Sequence, residues 1–270
     1  MSADTPFQPP INRQNHSLPP IQQAMRFFPC TLVLLVMCVG LFLLQVLTGV
    51  NPSQPTTEAL LTWGANFLPF SLGNQPWRLV SSLFLHIGLL HLMFNMFALY
   101  YFGQVAERMV GSLNFLLLFI LAGVGGNLLN NFLGMMDVIQ GMMPVVSAGA
   151  SGGIMGIGMM LLVVALRKKP INGMMLSVKS LIWVMAINLG YGFLVGGIDN
   201  AGHVGGAVTG AVLAILYSLG QSKYGTLHAR QPLILAGYVV IIVGFLVIYW
   251  YLHSQFLALT MIKSGIVSAI

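Results

Sequence analysis

Residues 31–50 read TLVLLVMCVGLFLLQVLTGV, a run of 20 residues that contains no charged side chain. A helix needs about 20 mostly apolar residues to cross the hydrocarbon core of a bilayer. Further stretches of this kind lie at 86–104, 113–133, 148–166, 177–198, 202–220 and 233–253. The sequence therefore predicts an all-α membrane protein, a polytopic helical bundle with seven spans.

The composition excludes an ordinary soluble domain. Hydrophobic residues make up 57% of the 270-residue chain and charged residues only 6%, whereas soluble domains carry about 25% charged residues. The basic residues are scattered between apolar stretches, so we expect the lipid bilayer as partner and no nucleic acid. Cys30 and Cys38 lie eight positions apart, a spacing that matches no zinc or redox motif, so we expect no metal.

The distribution of basic residues predicts the orientation. With the N-terminus in the cytoplasm, nine of the 11 basic residues lie inside and only Arg78 and Lys263 lie outside, as the positive-inside rule requires. The inside residues are Arg13, Arg26, Arg108, Arg167, Lys168, Lys169, Lys179, Lys223 and Arg230. We expect a multi-pass protein of a bacterial plasma (inner) membrane, with its C-terminus outside.

The alternation of polar and apolar stretches divides the chain into five predicted segments. The stretch 1–29 is polar and rich in proline, which is typical of a disordered tail, and it lacks the features of a cleaved signal peptide. The expected division is a disordered cytoplasmic tail at 1–29, a six-helix core at 30–220, a cytoplasmic linker at 221–232, a seventh helix at 233–253 and an outer tail at 254–270.

Polar side chains mark the outer ends of the second, fourth and sixth spans. His91 and Asn95 share one helix face at i, i+4 in the second span, Ser151 begins the fourth and His203 begins the sixth. These three spans start on the same side, so the four side chains lie at a similar depth. Each alone is more commonly a packing or core residue, but their convergence favours a site.

Small residues predict that the fourth and sixth spans approach closely. Gly206 and Gly210 form a small-xxx-small stripe after His203, and Gly152 and Gly156 form another after Ser151. Close backbones would let a short serine side chain reach an imidazole. Generic membrane packing would use the same glycines.

The chemistry that fits this set is nucleophilic catalysis. Ser151 would be the nucleophile and His203 its base, while the amide of Ser151 with Asn95 and His91 could stabilise the oxyanion. None of the five acidic residues lies within a span; Asp199 precedes His203 by four positions and is predicted to be a loop residue. We therefore expect a Ser–His dyad. The lack of buried carboxylates and of an HExxH motif excludes aspartyl and zinc proteases.

Three stretches resemble the rhomboid intramembrane serine proteases. They are WGANFLPFSLGNQPWRLVSSLFLHIGLLHLMFNMFALYYFG at 63–103, GASGGIMG at 149–156 and AGHVGGAVTG at 201–210. The resemblance covers about residues 60–215 of the chain. It implies a six-helix core plus one C-terminal helix, with Ser151 as nucleophile, His203 as general base and no cofactor.

The resemblance also implies roles for neighbouring residues. His91, Asn95 and Gly149 would form the oxyanion hole, with Gly206 and Gly210 in the catalytic-histidine helix. Trp77 and Arg78 would belong to a half-immersed outer loop; the alternative is an interfacial tryptophan with a snorkelling arginine. His86 would be structural. Family members commonly carry an aromatic residue where Met155 stands, so the imidazole would be oriented less firmly here.

The predicted function is a serine endopeptidase that hydrolyses peptide bonds in or near the transmembrane segments of other single-span or multi-span membrane proteins. One alternative is an inactive relative that binds membrane proteins, although both Ser151 and His203 are present. Another is a transporter, which would not depend on Ser151. A purely structural membrane protein would leave the convergent polar residues unexplained.

Overall fold

The computed structural model describes residues 20–167, 175–194, 199–223 and 227–263. These residues are almost entirely helical, and apart from one antiparallel bridge between Asn66 and Ser147 they contain no strand pairing. The helices are α1 (Pro20–Phe27), α2 (Pro29–Leu47), α3 (Thr57–Trp63), α4 (Leu68–Ser71), α5 (Arg78–Ser81), a 3-10 turn (Ser82–Phe84), α6 (Leu89–Val110), α7 (Ser112–Ile139), α8 (Ser151–Ala165), α9 (Val178–Leu194), α10 (Asn200–Lys223) and α11 (Leu227–Lys263). The predicted all-α class is confirmed.

Among the residues that the structure describes, five helices are long and apolar enough to cross a membrane. Two shorter apolar helices, α8 and the stretch Val178–Gly190 of α9, coincide with the remaining predicted spans. The qualifying stretches are Pro29–Leu47, Leu89–Val110, Ser112–Ile139, Asn200–Ser218 and Gln231–Ile262. The chain is an integral membrane protein, and the total of seven spans stays a prediction.

Helix α8 lies at the centre of the bundle, packed most closely against α7 and α10. A Cβ atom added at Gly206 would collide with the backbone of Gly152, and one at Gly210 with the backbone of Gly156. Gly156 in turn lies against the side chain of Ala122 in α7. The absence of side chains at these positions lets three helix backbones meet.

The expectation that no carboxylate is buried within a span is wrong for Glu107, which is 1% exposed and lies in the last turn of α6, because this span extends beyond the predicted end at 104. Glu107 in α6 accepts hydrogen bonds from the backbone amides of Cys30 and Thr31, at 2.8 and 2.7 Å. The hydroxyl of Ser112 donates to the same carboxylate at 2.6 Å. Glu107 therefore caps the first turn of α2 and fixes it against α6 and α7, because a carboxylate is favoured at a helix N-terminus.

Several predicted boundaries differ from the structure. The predicted disordered tail contains α1, which starts at a proline, a favourable first helical residue, and packs against α2 and α6. The predicted linker 221–232 is helical at 221–223 and 227–232, and α11 continues to Lys263 through much of the predicted outer tail. Polar residues do not end a helix by themselves, which is why apolar patterning underestimates its length.

Candidate active site

Ser151 is the first residue of α8 and is half-buried. The residue two positions before it, Gly149, has a φ of +148°, a conformation that side chains with a Cβ rarely adopt. The Gly149 amide donates to the carbonyl of Ser82 at 2.9 Å. The turn before α8 is thereby fixed, and the hydroxyl of Ser151 sits where free backbone amides make a helix start electropositive.

His91 of α6 lies against this turn. A Cβ atom at Gly149 would lie 2.7 Å from Cε1 of His91 and 3.5 Å from Oγ of Ser151. The backbone amide of Ile87 donates to Nδ1 of His91 at 3.3 Å. A neutral imidazole that accepts at Nδ1 carries its proton on Nε2, so His91 presents a donor on the side that faces Gly149.

Asn95 follows His91 by one helical turn and is only 1% exposed. Its side-chain nitrogen finds no hydrogen-bond partner among the residues that the structure describes. A buried amide donor without a partner is costly. Asn95 therefore carries an unused donor on the helix face that brings His91 to Ser151.

His203 lies in the first turn of α10 and is 2% exposed. The residue before it, Gly202, meets the residue after Ser151: a Cβ at Gly152 would lie 3.3 Å from the Gly202 carbonyl oxygen. Within the described part of the chain, neither ring nitrogen of His203 is hydrogen-bonded. The two helix starts are thus adjacent, while the hydrogen bond from Ser151 to His203 is not formed in this structure. Such bonds are often longer before substrate binds.

Two cavities lie beside the first turns of α8 and α10. The smaller one has a volume of about 10 Å³ and is lined by Ser151, His91 and Gly149, among others. That volume holds about one water molecule. The larger one, about 490 Å³, lies between α8, α9 and α10 and is almost wholly apolar, with His203 and Met155 in its wall. The predicted neighbours Met155 and His203 therefore share a cavity wall.

Arg78 is 6% exposed and does not snorkel. Its guanidinium donates to the carbonyls of Leu61 and Ala65, at 2.7 and 3.0 Å, and to the side chain of Gln75 at 2.6 Å. The neighbouring Trp77 is 52% exposed, with its ring 4.8 Å from the Arg78 guanidinium carbon. Arg78 therefore connects several turns of the segment between α2 and α6. The alternative of a snorkelling arginine at this position is wrong, because the side chain is buried.

Replacing Arg78 with lysine is expected to lower the stability of the folded protein by about 2 kcal/mol. A lysine ammonium cannot reproduce the planar set of donors that serves two carbonyls and an amide. Thermal unfolding in detergent measures the change. The exposed Arg26 provides the control, since Arg26→Lys removes no buried bond. Equal melting temperatures for the two variants would contradict the structural role of Arg78.

His86 lies just before α6, with its ring centroid 5.3 Å from that of His91. The His86 side chain is buried, with only 1% of its surface exposed. His86 thus packs beside His91, and its structural role stays a prediction.

Four polar residues hold the site through hydrogen bonds that the sequence did not predict. The Asn127 side chain donates to the Leu79 carbonyl and the Ser82 hydroxyl, at 2.9 and 2.8 Å, and Ser82 holds Gly149. The others are Asn66, Ser147 and Asp199, which form hydrogen bonds across the same end of the bundle. Their partners are distant in sequence, so no local spacing indicates these bonds.

The chain is similar in sequence to known proteins. The family model described as Rhomboid domain matches residues 73–220, more than half of the chain. Rhomboid protease AarA of Providencia stuartii is 30% identical over 72% of this chain and 74% of its own length. Rhomboid protease GluP of Bacillus subtilis (strain 168) is 36% identical over 78% of this chain. RHOMBOID-like protein 4 of Arabidopsis thaliana is 32% identical over 67% of it.

These matches differ in how much of each relative they cover. The chain spans 39% of the length of the Bacillus protein and 43% of the Arabidopsis protein. The matched region nevertheless contains every predicted site residue, from Trp77 to Gly210. The chain belongs to the rhomboid family.

Proposed function

We propose that this protein is an intramembrane serine endopeptidase that uses Ser151 and His203 as a catalytic dyad. The observation that carries the proposal is the contact of His91 with Gly149 beside the Ser151 hydroxyl, at the start of a buried helix. A nucleophile, backbone amides and a neutral imidazole donor around one point suit acyl transfer. The Bacillus and Providencia relatives are both named as rhomboid proteases, which supports the same activity.

The proposed reaction has two halves. In the first, His203 takes the proton of the Ser151 hydroxyl while Oγ attacks the carbonyl carbon of the scissile bond. The oxyanion receives hydrogen bonds from the Ser151 amide, Asn95 and His91. Collapse of the intermediate breaks the C–N bond, and His203 gives its proton to the leaving amine. In the second half, a water gives a proton to His203 and adds to the carbonyl carbon of the acyl-enzyme. The bond from that carbon to Oγ of Ser151 then breaks, the acid leaves, and His203 returns its proton to Oγ.

The proposed substrates are other membrane proteins, cut in or near a transmembrane segment. A helix hides its peptide groups in its own hydrogen bonds, so the substrate must unwind locally before Ser151 can reach a carbonyl. Glycine or proline in the outer part of the substrate span would favour that unwinding. The resemblance to the family implies a small residue before the cut bond.

The proposed location is a bacterial plasma membrane, with the N-terminus in the cytoplasm and the C-terminus outside. The support is the distribution of basic residues, nine of 11 on the cytoplasmic side. In this orientation Ser151 and His203 lie in the outer half of the membrane. Protease accessibility of a tag at each terminus in spheroplasts tests the orientation, and cleavage of an N-terminal tag from outside would contradict it.

The proposed activity is tested by reconstitution. The protein in liposomes is given a fluorescently labelled single-span substrate with a glycine-rich outer third and a leucine-rich copy of it as control. We expect the first to be cut within its outer third and the second to be cut far more slowly. A protein that binds both without cutting either would instead be an inactive binder. Solute uptake that is unchanged in Ser151→Ala would favour the transporter.

Replacing Asn95 with alanine is expected to lower kcat by about 10²- to 10³-fold, the usual loss for one oxyanion donor. The KM should stay nearly constant, because the lost bond forms mainly in the transition state. Initial rates against substrate concentration in liposomes measure both constants.

The matched control is Asn188→Ala. Asn188 is also a buried membrane asparagine, but its side chain donates to the Val184 carbonyl of its own helix at 3.1 Å. This variant should retain kcat within about twofold, since its lost bond is remote from the oxyanion. If Asn95→Ala behaves in the same way, Asn95 is not an oxyanion donor.

A further inference from the structure

A hydrogen bond connects the segments that precede the two proposed catalytic residues. The hydroxyl of Ser147 donates to Oδ2 of Asp199 at 2.7 Å. Ser147 stands four positions before Ser151, and Asp199 stands four positions before His203. The two partners are 52 residues apart in sequence, so the bond joins the approach to α8 with the approach to α10.

Asp199 also holds the first turn of α10. Its Oδ1 accepts the backbone amide of Gly202 at 2.7 Å, and its carbonyl accepts the amide of His203 at 3.3 Å. This arrangement is an N-cap, in which a carboxylate satisfies a free amide at the helix start. One carboxylate thus binds the turn that carries His203 with one oxygen and Ser147 with the other.

Ser147 is itself held in place by hydrogen bonds to its backbone. Its backbone amide and carbonyl both pair with the backbone of Asn66, each at 2.9 Å. The side chain of Asn66 is in turn held by Ser71, at 2.7 Å, and by Asn131 of α7, at 3.2 Å. Ser147 is buried, as are these three partners. Ser147 is therefore connected, through Asn66, to the segment before α6 and to α7.

We infer that Asp199 and Ser147 are positioning residues, and that their hydrogen bond sets the place of His203 relative to Ser151. This inference rests on the proposed function. The helix backbones at Gly152 and Gly206 are in direct contact, which fixes the separation of α8 and α10. It does not fix how far the first turn of α10 opens. The bond from Asp199 to Ser147 supplies that restraint.

Asp199 does not act as a third member of a triad. Its two oxygens bind Gly202 and Ser147, and neither ring nitrogen of His203 is hydrogen-bonded within the described residues. The carboxylate therefore acts on the backbone that carries the imidazole. Misplacement of a catalytic group by about 1 Å can lower a rate about 100-fold, so the bond need not touch the imidazole to matter.

The test uses the full-length protein in liposomes, with Ser147→Ala, Asp199→Ala and the double variant. Each single variant is expected to lower kcat by about 10- to 100-fold, with KM changed less than about twofold, because the proposed restraint acts on the position of His203. The double variant should lose no more than the worse single variant, since both act through the same bond. Asp199→Asn keeps an oxygen for the Ser147 hydroxyl and should restore part of kcat.

The matched control is Ser112→Ala. Ser112 also donates to a carboxylate, Glu107, at 2.6 Å, but at the opposite end of the bundle. Its loss should lower the melting temperature and leave kcat unchanged. If Ser147→Ala acted only by lowering the stability of the protein, kcat would be the same in Ser112→Ala and Ser147→Ala. That result would overturn the inference.

Amide hydrogen exchange separates the inference from the proposed function, because it needs no activity. Ser147→Ala should speed exchange of the Gly202 and His203 amides, which lie on another segment, while Ser112→Ala should not. Unchanged exchange at both amides overturns the inference even if the wild type is an active protease. If the wild type cuts nothing and labels with no serine-reactive phosphonate, the proposed function falls, and faster exchange still establishes the restraint on α10.

Discussion

Ser151→Ala is expected to lower the rate of substrate cleavage by about 10⁴- to 10⁶-fold, the range found when a serine protease loses its nucleophile. Only the oxygen that attacks the carbonyl is removed, and the half-buried position tolerates alanine, so the fold should persist. His203→Ala should cause a loss of similar size, because the hydroxyl then has no base. Single-turnover cleavage in liposomes measures both effects.

The control for this loss is Ser254→Ala. Ser254 is a half-buried serine in α11 whose hydroxyl donates to the Tyr251 carbonyl at 2.7 Å. We expect cleavage within about twofold of wild type, since nothing near the site changes. Melting temperatures must be similar in the three variants for the comparison to hold. Full activity in His203→Ala alone would leave Ser151 as the nucleophile and remove His203 as its base.

Gly206→Ala and Gly210→Ala are expected to destabilise the protein by about 3 kcal/mol or more each. An added methyl group would meet the backbone of α8 at Gly152 or Gly156, and a backbone cannot rotate aside as a side chain can. The two helices must separate, which also moves His203 away from Ser151. Thermal unfolding and cleavage should therefore fall together.

Gly244→Ala is the matched control for this prediction. Gly244 lies in α11, and a Cβ there would meet nothing within 4 Å. Alanine favours a helix over glycine by about 1 kcal/mol, so this variant should be as stable as wild type or slightly more so. A melting temperature unchanged in Gly206→Ala and Gly210→Ala would show that α8 and α10 do not meet at these glycines.

The sequence was sufficient to predict the apolar helices, because lipid imposes a length and a composition that few other structures share. The stripes of Gly206 with Gly210 and of Gly152 with Gly156 predicted close backbones, and the structure places these pairs against each other. The proximity of His91 to Ser151 followed from their common depth. These features depend on local pattern and on the membrane, so they can be derived from one chain.

Long-range polar contacts could not be derived in that way. The pairing of Asn66 with Ser147 and the bond from Ser147 to Asp199 join segments that no periodicity aligns. Asp199 was considered near His203 and assigned to a loop; the structure places it at the cap of α10. Arg78 was left between a half-immersed outer loop and a snorkelling position, and its burial depends on the carbonyls of Leu61 and Ala65, which local pattern does not reveal.

Helix ends were also beyond local pattern. The polar sequence of α1 predicted disorder, yet packing against α2 and α6 stabilises the helix. The ends of α10 and α11 continue past the last apolar residues, since water satisfies a polar helix surface as readily as a loop. The predicted end of the fifth span, 195–198, lies outside the described residues.

Covalent labelling tests most directly whether Ser151 is a nucleophile activated by His203. The reconstituted protein is treated with a fluorophosphonate, digested and mapped by mass spectrometry, with His203→Ala in parallel. The proposal predicts a covalent adduct on Ser151 in the wild type and an adduct at least about 100-fold slower to form in His203→Ala. An adduct on a different residue, or equal labelling of Ser151 without His203, would contradict it.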